Sequence, residues 1–281
     1  MTSAESVPHS RRWRLQAQLE ALLPPDPELV LVTDLDGTLL GGDLLLRRRF
    51  YAWLAQQRHR VLHVFSTGRD LRSVARLLEE EAASGLAAPH LVIGDVGCTV
   101  ACGVSLRPIP LAVEPIERRW RGKPERLAPV LAAMSWLTPQ PVSADRRLAY
   151  LVEPGVIEPA HLAAIEAYGV DCLVSDDRYL DVLPAGVNKG TTLIDLLGWL
   201  EIDPERVVTA GDTLNDLAMF ETGLRGVMVG NAEPALVACH NRLPRTYRAS
   251  GTGCAGIVEG LRHFGFDHLL PPSVDLSPER S

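Results

Sequence analysis

The chain has 281 residues, enough for one large α/β domain or for a core with a smaller domain, and its 46% hydrophobic and 22% charged content is that of a soluble globular protein. A formal net charge of −7 argues against non-specific nucleic-acid binding, and no apolar stretch approaches the roughly 20 residues that span a bilayer. Five scattered cysteines (Cys98, Cys102, Cys172, Cys239 and Cys254) lack zinc spacing, and the N-terminus lacks a secretory apolar core, so reduced thiols and a cytoplasmic location are expected.

Residues 1–10 read as disordered. Arg11 to Leu23 can form a helix with Trp13, Leu15, Leu19 and Leu22 on roughly one face, stopped by Pro24, Pro25 and Pro27. The next stretch, LVLVTDLDGTL from Leu29 to Leu39, organises the rest. Leu29 to Val32 is a short apolar run that reads as a buried strand of a parallel sheet. It delivers Asp34 and Asp36 to its carboxyl end, where ligands bind in open α/β sheets. Gly37 lets the chain turn away, and Thr38 can bond nearby backbone. Alternation starts both carboxylates on one side, where they repel unless a cation joins them or one is protonated. Magnesium, a hard ion that takes oxygen ligands, suits the place. One aspartate can attack phosphorus while the other shuttles a proton. The plain alternative is a strand-end turn.

Gly41-Gly42 precedes a helix from about Asp43 to Gln57. A strand, Val61 to Phe65, then ends in Ser66-Thr67-Gly68-Arg69. Thr67 offers a hydroxyl, and Gly68 lets a backbone N–H approach an oxyanion. Read alone, this is equally the N-cap of a helix over Asp70 to Ala83. Arg69 reads as holding the loop. A strand over His90 to Ile93 leads into Gly94-Asp95-Val96-Gly97-Cys98. From there the pattern changes: Val100 to Leu106 alternates weakly, and Pro108, Pro110 and Pro115 break the run. A helix near Pro124 to Leu137, a strand near Leu148 to Val152 and a helix over Glu158 to Tyr168 follow. Two strands, Asp171 to Ser175 and Tyr179 to Leu183, are joined through Asp176-Asp177-Arg178. This reads as an α+β layer forming a second domain at about 105–186.

Asn188-Lys189-Gly190 begins a helix running to about Leu200. A lysine at a helix start opposes the macrodipole, so a local anion is expected beside it. Arg206 to Ala210 is a strand ending in Gly211-Asp212-Thr213-Leu214-Asn215-Asp216. Asp212 sits at a strand end like Asp34, Asp216 follows one helical turn later, and Asn215 can donate to a phosphate oxygen. A capped helix start is the plain alternative, but it does not explain four such strand ends. Arg225 to Val229 is the last core strand, a short helix starts near Pro234, Thr246 to Gly253 is a polar loop, and Gly256 to Phe264 is a helix. The order gives a mostly parallel sheet covered on both faces.

LVTDLDGTL, STGR, KGTTL and GDTLND resemble the four motifs of the haloacid dehalogenase-like phosphohydrolases. The resemblance implies that Asp34 is a nucleophile forming an aspartyl-phosphate, with Asp36 as general acid and base. It implies that Lys189 is catalytic, neutralising the nucleophile and the phosphate, that Thr67, Gly68, Lys189 and Asn215 bind phosphate, and that Asp34, Asp36, Asp212 and Asp216 surround Mg2+. The implied fold is α/β: a Rossmann-like parallel sheet core over 29–104 and 187–281, a smaller inserted α+β cap domain over 105–186, and an N-terminal extension, 1–28. Further stretches, among them SDDRYLDVLP, GDTLNDLAMFETGLRGVMVGN and GIVEGLRHFGF, are similar to the sucrose-phosphate and mannosylfructose-phosphate phosphatase group. That likeness implies magnesium-dependent hydrolysis of a small-molecule sugar phosphate, a disaccharide phosphate such as sucrose 6-phosphate, and association with a sugar-phosphate synthase. The N-terminal helix departs from that group, and the cap between Ile109 and Leu148 matches it weakly. A phosphomannomutase-like phosphotransferase, a mannosylfructose-phosphate or glycosylglycerate-type phosphatase and, last, a non-catalytic sugar-phosphate-binding module are the alternatives. By polarity, Arg146, Arg147, Asp177 and Arg178 are candidates for reading the sugar.

Overall fold

The computed structural model describes residues 10–175 and 177–270. Of the disorder expected over residues 1–10, residues 1–9 lie outside them and Ser10 instead caps the first helix, its hydroxyl accepting from Trp13 N; Asp176 of the expected hairpin turn also lies outside. A short helix, α1 (Arg11–Gln16), precedes β1 (Leu29–Thr33), which is buried along its whole length. Then come α2 (Leu44–Gln56), β2 (Val61–Ser66), α3 (Leu71–Glu80), β3 (Leu91–Gly94) and β4 (Thr99–Cys102). A second unit follows: α4 (Pro110–Trp120), α5 (Lys123–Ala132), β5 (Thr138–Gln140), β6 (Leu148–Leu151), α6 (Pro159–Glu166), β7 (Val170–Ser175) and β8 (Tyr179–Pro184). The chain closes with α7 (Lys189–Leu200), β9 (Val207–Gly211), α8 (Leu217–Phe220), β10 (Arg225–Met228), α9 (Pro234–Ala238), β11 (Thr246–Arg248) and α10 (Cys254–His263).

The strands form a seven-stranded sheet, ordered β11-β10-β9-β1-β2-β3-β4, and a four-stranded sheet, ordered β5-β6-β8-β7. In the larger sheet every pairing is parallel except β3 with β4. Alternation along β1 sends Leu29 and Leu31 to a layer with Phe50, Trp53 and Ile257, and Val30 and Val32 to one with Leu193, Leu196 and Leu15. Helices therefore cover both faces, as a parallel sheet requires. The smaller sheet is antiparallel, and Leu180 and Val182 of β8 pack with Trp120, Leu127 and Leu131 of its helices. Tyr179 and Asp181, one residue out of phase, face the other way. Among the described residues no helix is long and apolar enough to cross a membrane.

Four local expectations are corrected. The first helix ends at Gln16, whose side chain accepts from Leu23 N and donates to Ala21 O, folding the chain back, so Leu15 is buried while Leu22 is 86% exposed. The prolines near 110 do not break the chain. Pro110 starts α4, where its missing N–H has no helical partner to lose, and the helix continues through Pro115 because Val113, Ile116 and Trp120 bury one face. Thr138–Gln140 is an additional strand in the smaller sheet. Thr246–Arg248 is the edge strand of the larger sheet rather than loop, too short for its alternation to register.

Candidate active site

Sheet order places the carboxyl ends of β9, β1 and β2 side by side, and with them Asp212, Asp34 and Thr67. The chain leaves β1 through Asp34, whose N–H donates to Ala210 O at 2.9 Å, and turns at Gly37, with φ of +78°. A Cβ on Gly37 would strike the Asp212 carboxylate, so glycine is required here twice, by backbone angle and by space. Thr38 Oγ1 donates to Asp212 Oδ1 at 2.6 Å. Asn231 Nδ2 donates to the Gly37 carbonyl at 2.9 Å, and its Oδ1 accepts from Gly253 N at 2.9 Å, tying the turn to the start of α10.

Lys189 is the first residue of α7 and is fully buried. Its Nζ donates to Asp34 Oδ1, Asn215 Oδ1 and Asp216 Oδ1, each at 2.7 Å. The two carboxylates, Asp34 and Asp216, are the local anions that offset the unfavourable macrodipole. Burial alone would depress the ammonium, but Asp216 and Asp34 more than reverse this and hold Lys189 above its ordinary value. Asp216 Oδ2 accepts from the backbone N–H groups of Asp212 and Thr213, at 3.0 and 3.1 Å. Burial pushes the Asp34 carboxyl well above its ordinary value against the pull of Lys189, and pushes Asp212 up to about 7.

Asp34, Asp212 and Asp216 each offer an oxygen, and these atoms lie within 4.8 Å of one another. Three buried hard-oxygen donors suit a small divalent cation such as magnesium. Among the described residues no hydrogen-bond donor meets Asp34 Oδ2 or Asp212 Oδ2, which leaves both free for a cation or for attack. Asp36, expected as a fourth side-chain ligand, stands outside this group. The guanidinium of Arg69 draws its carboxylate away, with Nη2 to Oδ1 at 2.6 Å and Nε to Oδ2 at 2.8 Å. Arg69 thus does more than hold its loop.

Thr67 accepts from Arg69 N at its Oγ1, at 3.1 Å, which leaves the hydroxyl proton to be given elsewhere. A side chain on Gly68 would find room, its nearest neighbour being Val96 at 3.9 Å, so sterics do not demand glycine there. Asn215 spends its carbonyl oxygen on Lys189 and keeps its amide donors.

These groups open into a cavity of about 430 Å3 between the two sheets. Asp34, Asp36, Thr67 and Asn215 line it from the larger sheet. Gln140, Tyr179 and Asp181 line it from the smaller one, with Tyr179 47% exposed. Of the four polar residues singled out for the sugar, only Arg147 lines the cavity. Arg146 bonds Glu117 and Thr99, and Asp177 accepts from Gly155 N. Tyr179 and Asp181 went unread although β8 alternates, because sequence does not say which face of a small sheet meets the core. A carboxylate with a free oxygen beside a buried ammonium, facing a hydroxyl and amide donors across a hollow, can hold a tetrahedral anion and attack it.

Residues 27–265 match the family described as sucrose-6F-phosphate phosphohydrolase. The chain is 40% identical over 239 residues to a glucosylglycerol-phosphate synthase of Pseudomonas anguilliseptica, a match covering 85% of this chain and 31% of that protein. It is 34% identical over 254 residues to the mannosylfructose-phosphate phosphatase of Agrobacterium fabrum, covering 86% of this chain and 98% of that one. It thus spans less than a third of the first relative and nearly all of the second. Among solved structures, the sucrose-phosphatase of Synechocystis in complex with sucrose and phosphate superposes with a TM-score of 0.76 at 25% identity, covering 85% of this chain and 98% of that one.

Proposed function

Since the chain belongs to the sucrose-6F-phosphate phosphohydrolase family of sugar phosphatases, we propose that it hydrolyses the phosphate ester of a neutral glycoside, with Mg2+, through an aspartyl-phosphate on Asp34. The observation that carries the reading is Lys189, fully buried and bonded at 2.7 Å to Asp34, Asn215 and Asp216. A buried ammonium with three such acceptors is expensive to build and is suited to neutralising an incoming phosphate.

Asp34 Oδ2 attacks phosphorus in line. The bond to the sugar oxygen breaks, and Asp36 supplies the proton that makes the leaving alcohol. Asp36 then takes a proton from water, whose oxygen attacks the aspartyl-phosphate, releasing inorganic phosphate and restoring Asp34. Thr67 and Asn215 donate to the phosphate oxygens while Lys189 neutralises their charge. Asp34, Asp212 and Asp216 would hold the magnesium ion, which supplies further charge neutralisation when bound. While both Asp36 oxygens accept from Arg69, the carboxyl is turned to the guanidinium and not to the leaving oxygen, so the pair must loosen for Asp36 to reach it.

The unit over 105–186 would act as a cap that closes over the leaving group and reads it. Two cations line the cavity among the described residues, Arg69 and Arg147, and each is already paired with acids. That favours an uncharged leaving group. It counts against a phosphomannomutase-like reaction, which would need a site for a second phosphate, and against an anionic glycerate. A disaccharide phosphate such as sucrose 6-phosphate is the first choice, given the names of the phosphatase relatives. Glucosylglycerol phosphate is the second, favoured by the 40% match to the synthase, which also makes a synthase the natural partner.

Phosphate release from a panel of sucrose, mannosylfructose and glucosylglycerol phosphates, hexose monophosphates and a hexose bisphosphate, with and without magnesium, tests the reading. Magnesium-dependent release led by the neutral glycosides is expected; conversion of a hexose 1-phosphate to the 6-phosphate would refute it. In the same assay Asp34→Asn should fall below about 1% of wild-type turnover, given the large share of rate that nucleophiles carry, while its circular dichroism is unchanged. Retained turnover in a folded Asp34→Asn protein would reject the nucleophile.

A further inference from the structure

Arg147 stands in the turn that leads into β6, and its side chain reaches down into the end of the larger sheet, where it is 9% exposed. Nε donates to Asp95 Oδ1 at 3.2 Å, Nη1 donates to Asp181 Oδ1, and Nη2 donates to the Gly68 carbonyl at 3.2 Å. The three acceptors come from three separate segments: the turn after β3, strand β8, and the turn after β2.

The contact to Gly68 has leverage. The Gly68 carbonyl and the Arg69 N–H belong to one planar peptide unit, so fixing one end fixes the other. That N–H donates to Thr67 Oγ1 at 3.1 Å, which turns the Thr67 proton towards another acceptor. The side chain of the same Arg69 holds Asp36. The turn after β3 is laced to the same place, since Asp95 N donates to Arg69 O at 2.9 Å and Val96 N to Thr67 O at 3.1 Å. Asp95 is anchored in turn by Thr99 Oγ1, which donates to its Oδ2 at 2.7 Å, and Arg146 Nη1 donates to that hydroxyl at 3.2 Å. Two consecutive arginines of the smaller unit thus reach the larger, Arg147 at Asp95 itself and Arg146 at the Thr99 hydroxyl that bonds it.

We propose that Arg147 is a positioning residue for the phosphate site: with the smaller unit seated, its guanidinium fixes the Gly68–Arg69 peptide and so aims the Thr67 hydroxyl at phosphate, and with that unit lifted the peptide loses its donor. The inference rests on the reading of Thr67 as a phosphate ligand. It ties closure to the readiness of the site and requires no contact between Arg147 and the sugar.

The experiment compares wild type, Arg147→Lys and Arg147→Met on a glycoside phosphate and on p-nitrophenyl phosphate, whose aryl group asks nothing of a sugar-reading surface. The inhibition constant of inorganic phosphate and the thermal midpoint are measured alongside. Lysine keeps a charge for Asp95 and Asp181 but cannot serve three acceptors in a fork, so Arg147→Lys decides the matter if Arg147→Met does not fold. Misplacement of about 1 Å costs about a hundredfold in rate, so kcat on both substrates should fall at least about tenfold in Arg147→Lys, with the phosphate inhibition constant rising by a similar factor. A loss confined to KM for the glycoside phosphate would make Arg147 a sugar-reading residue and overturn the proposal. So would kcat and phosphate inhibition within about twofold of wild type in a variant with a lowered midpoint, the mark of a structural role alone. If wild type releases no phosphate from either compound, the phosphatase reading fails first, and this inference falls with it.

Discussion

Asp212 is the residue at which burial and chemistry pull hardest against each other. Burial raises its carboxyl to about 7, the Thr38 hydroxyl opposes the rise, and the charge of Asp216 adds to it. In the unfolded chain the same group titrates near 3.8. Between those values the folded protein holds the proton more tightly, so this contribution to stability is full at acid pH, declines as pH rises towards 7, and is level above. Burial shifts Asp34 in the same direction. Magnesium binds the deprotonated carboxylates and competes with those protons, so it should raise the melting temperature of metal-stripped protein more at about pH 8 than at about pH 5.5. Equal shifts at both pH values would separate the ion from these acids. The carboxylates themselves were legible in the sequence because each ends an apolar run. The state of Asp36 was not, since its partner Arg69 belongs to a different strand end. Nor was the pair Asp95 and Val96, with φ of 52° and 58°, because aspartate tolerates a left-handed backbone but a β-branched valine rarely adopts one. Val96 holds that conformation with its side chain buried against Cys98, Ile116, Leu183 and Val187, contacts that offset the strain.

Among the elements, α1 shows how little helix suffices when one side chain is well placed. It has six residues, too few to stand alone, yet Leu15 is fully buried in the layer beneath α7, against which α1 packs. Leu15→Ala should lower stability by about 2–5 kcal/mol while leaving kcat unchanged. Chemical denaturation and steady-state kinetics on the same preparation check this, and a fall in kcat would give the segment a part in the chemistry. In the larger sheet β1, β2, β3, β9 and β10 could be read with boundaries close to the true ones because burial on both faces makes their apolar runs continuous, whereas β4 lay in a stretch that read only as weakly alternating. The α4 helix and the edge strand β11 could not. In the first, prolines masked a helix that its buried face sustains; in the second, three residues are too few for a pattern.

At the scale of the whole molecule, the two units face one hollow, and the proposed function gives chemistry to one and recognition to the other. The chain crosses between them twice, after β4 and after β8. Both crossings lie together, for Val100, Ala112, Pro115, Gly186 and Val187 border a single hollow of about 30 Å3. A graft is therefore feasible at one suture. Exchanging residues 105–186 for the corresponding stretch of a relative with a different sugar should carry the preference across, measured as a change in the ratio of kcat/KM for the two esters. The magnesium requirement and the loss of activity in Asp34→Asn should travel with the recipient.

Paired crossings also bear on how such a molecule changes over time. A guest stitched in at neighbouring points can be rewritten without disturbing the register of the host's strands, so new tastes in sugar can arise while the hydrolytic machinery stays as it was. That freedom has a limit where Arg146 and Arg147 reach across the seam: if the guanidinium of Arg147 aims the site as proposed, a replacement guest must bring its own hand to hold the turn on the other side.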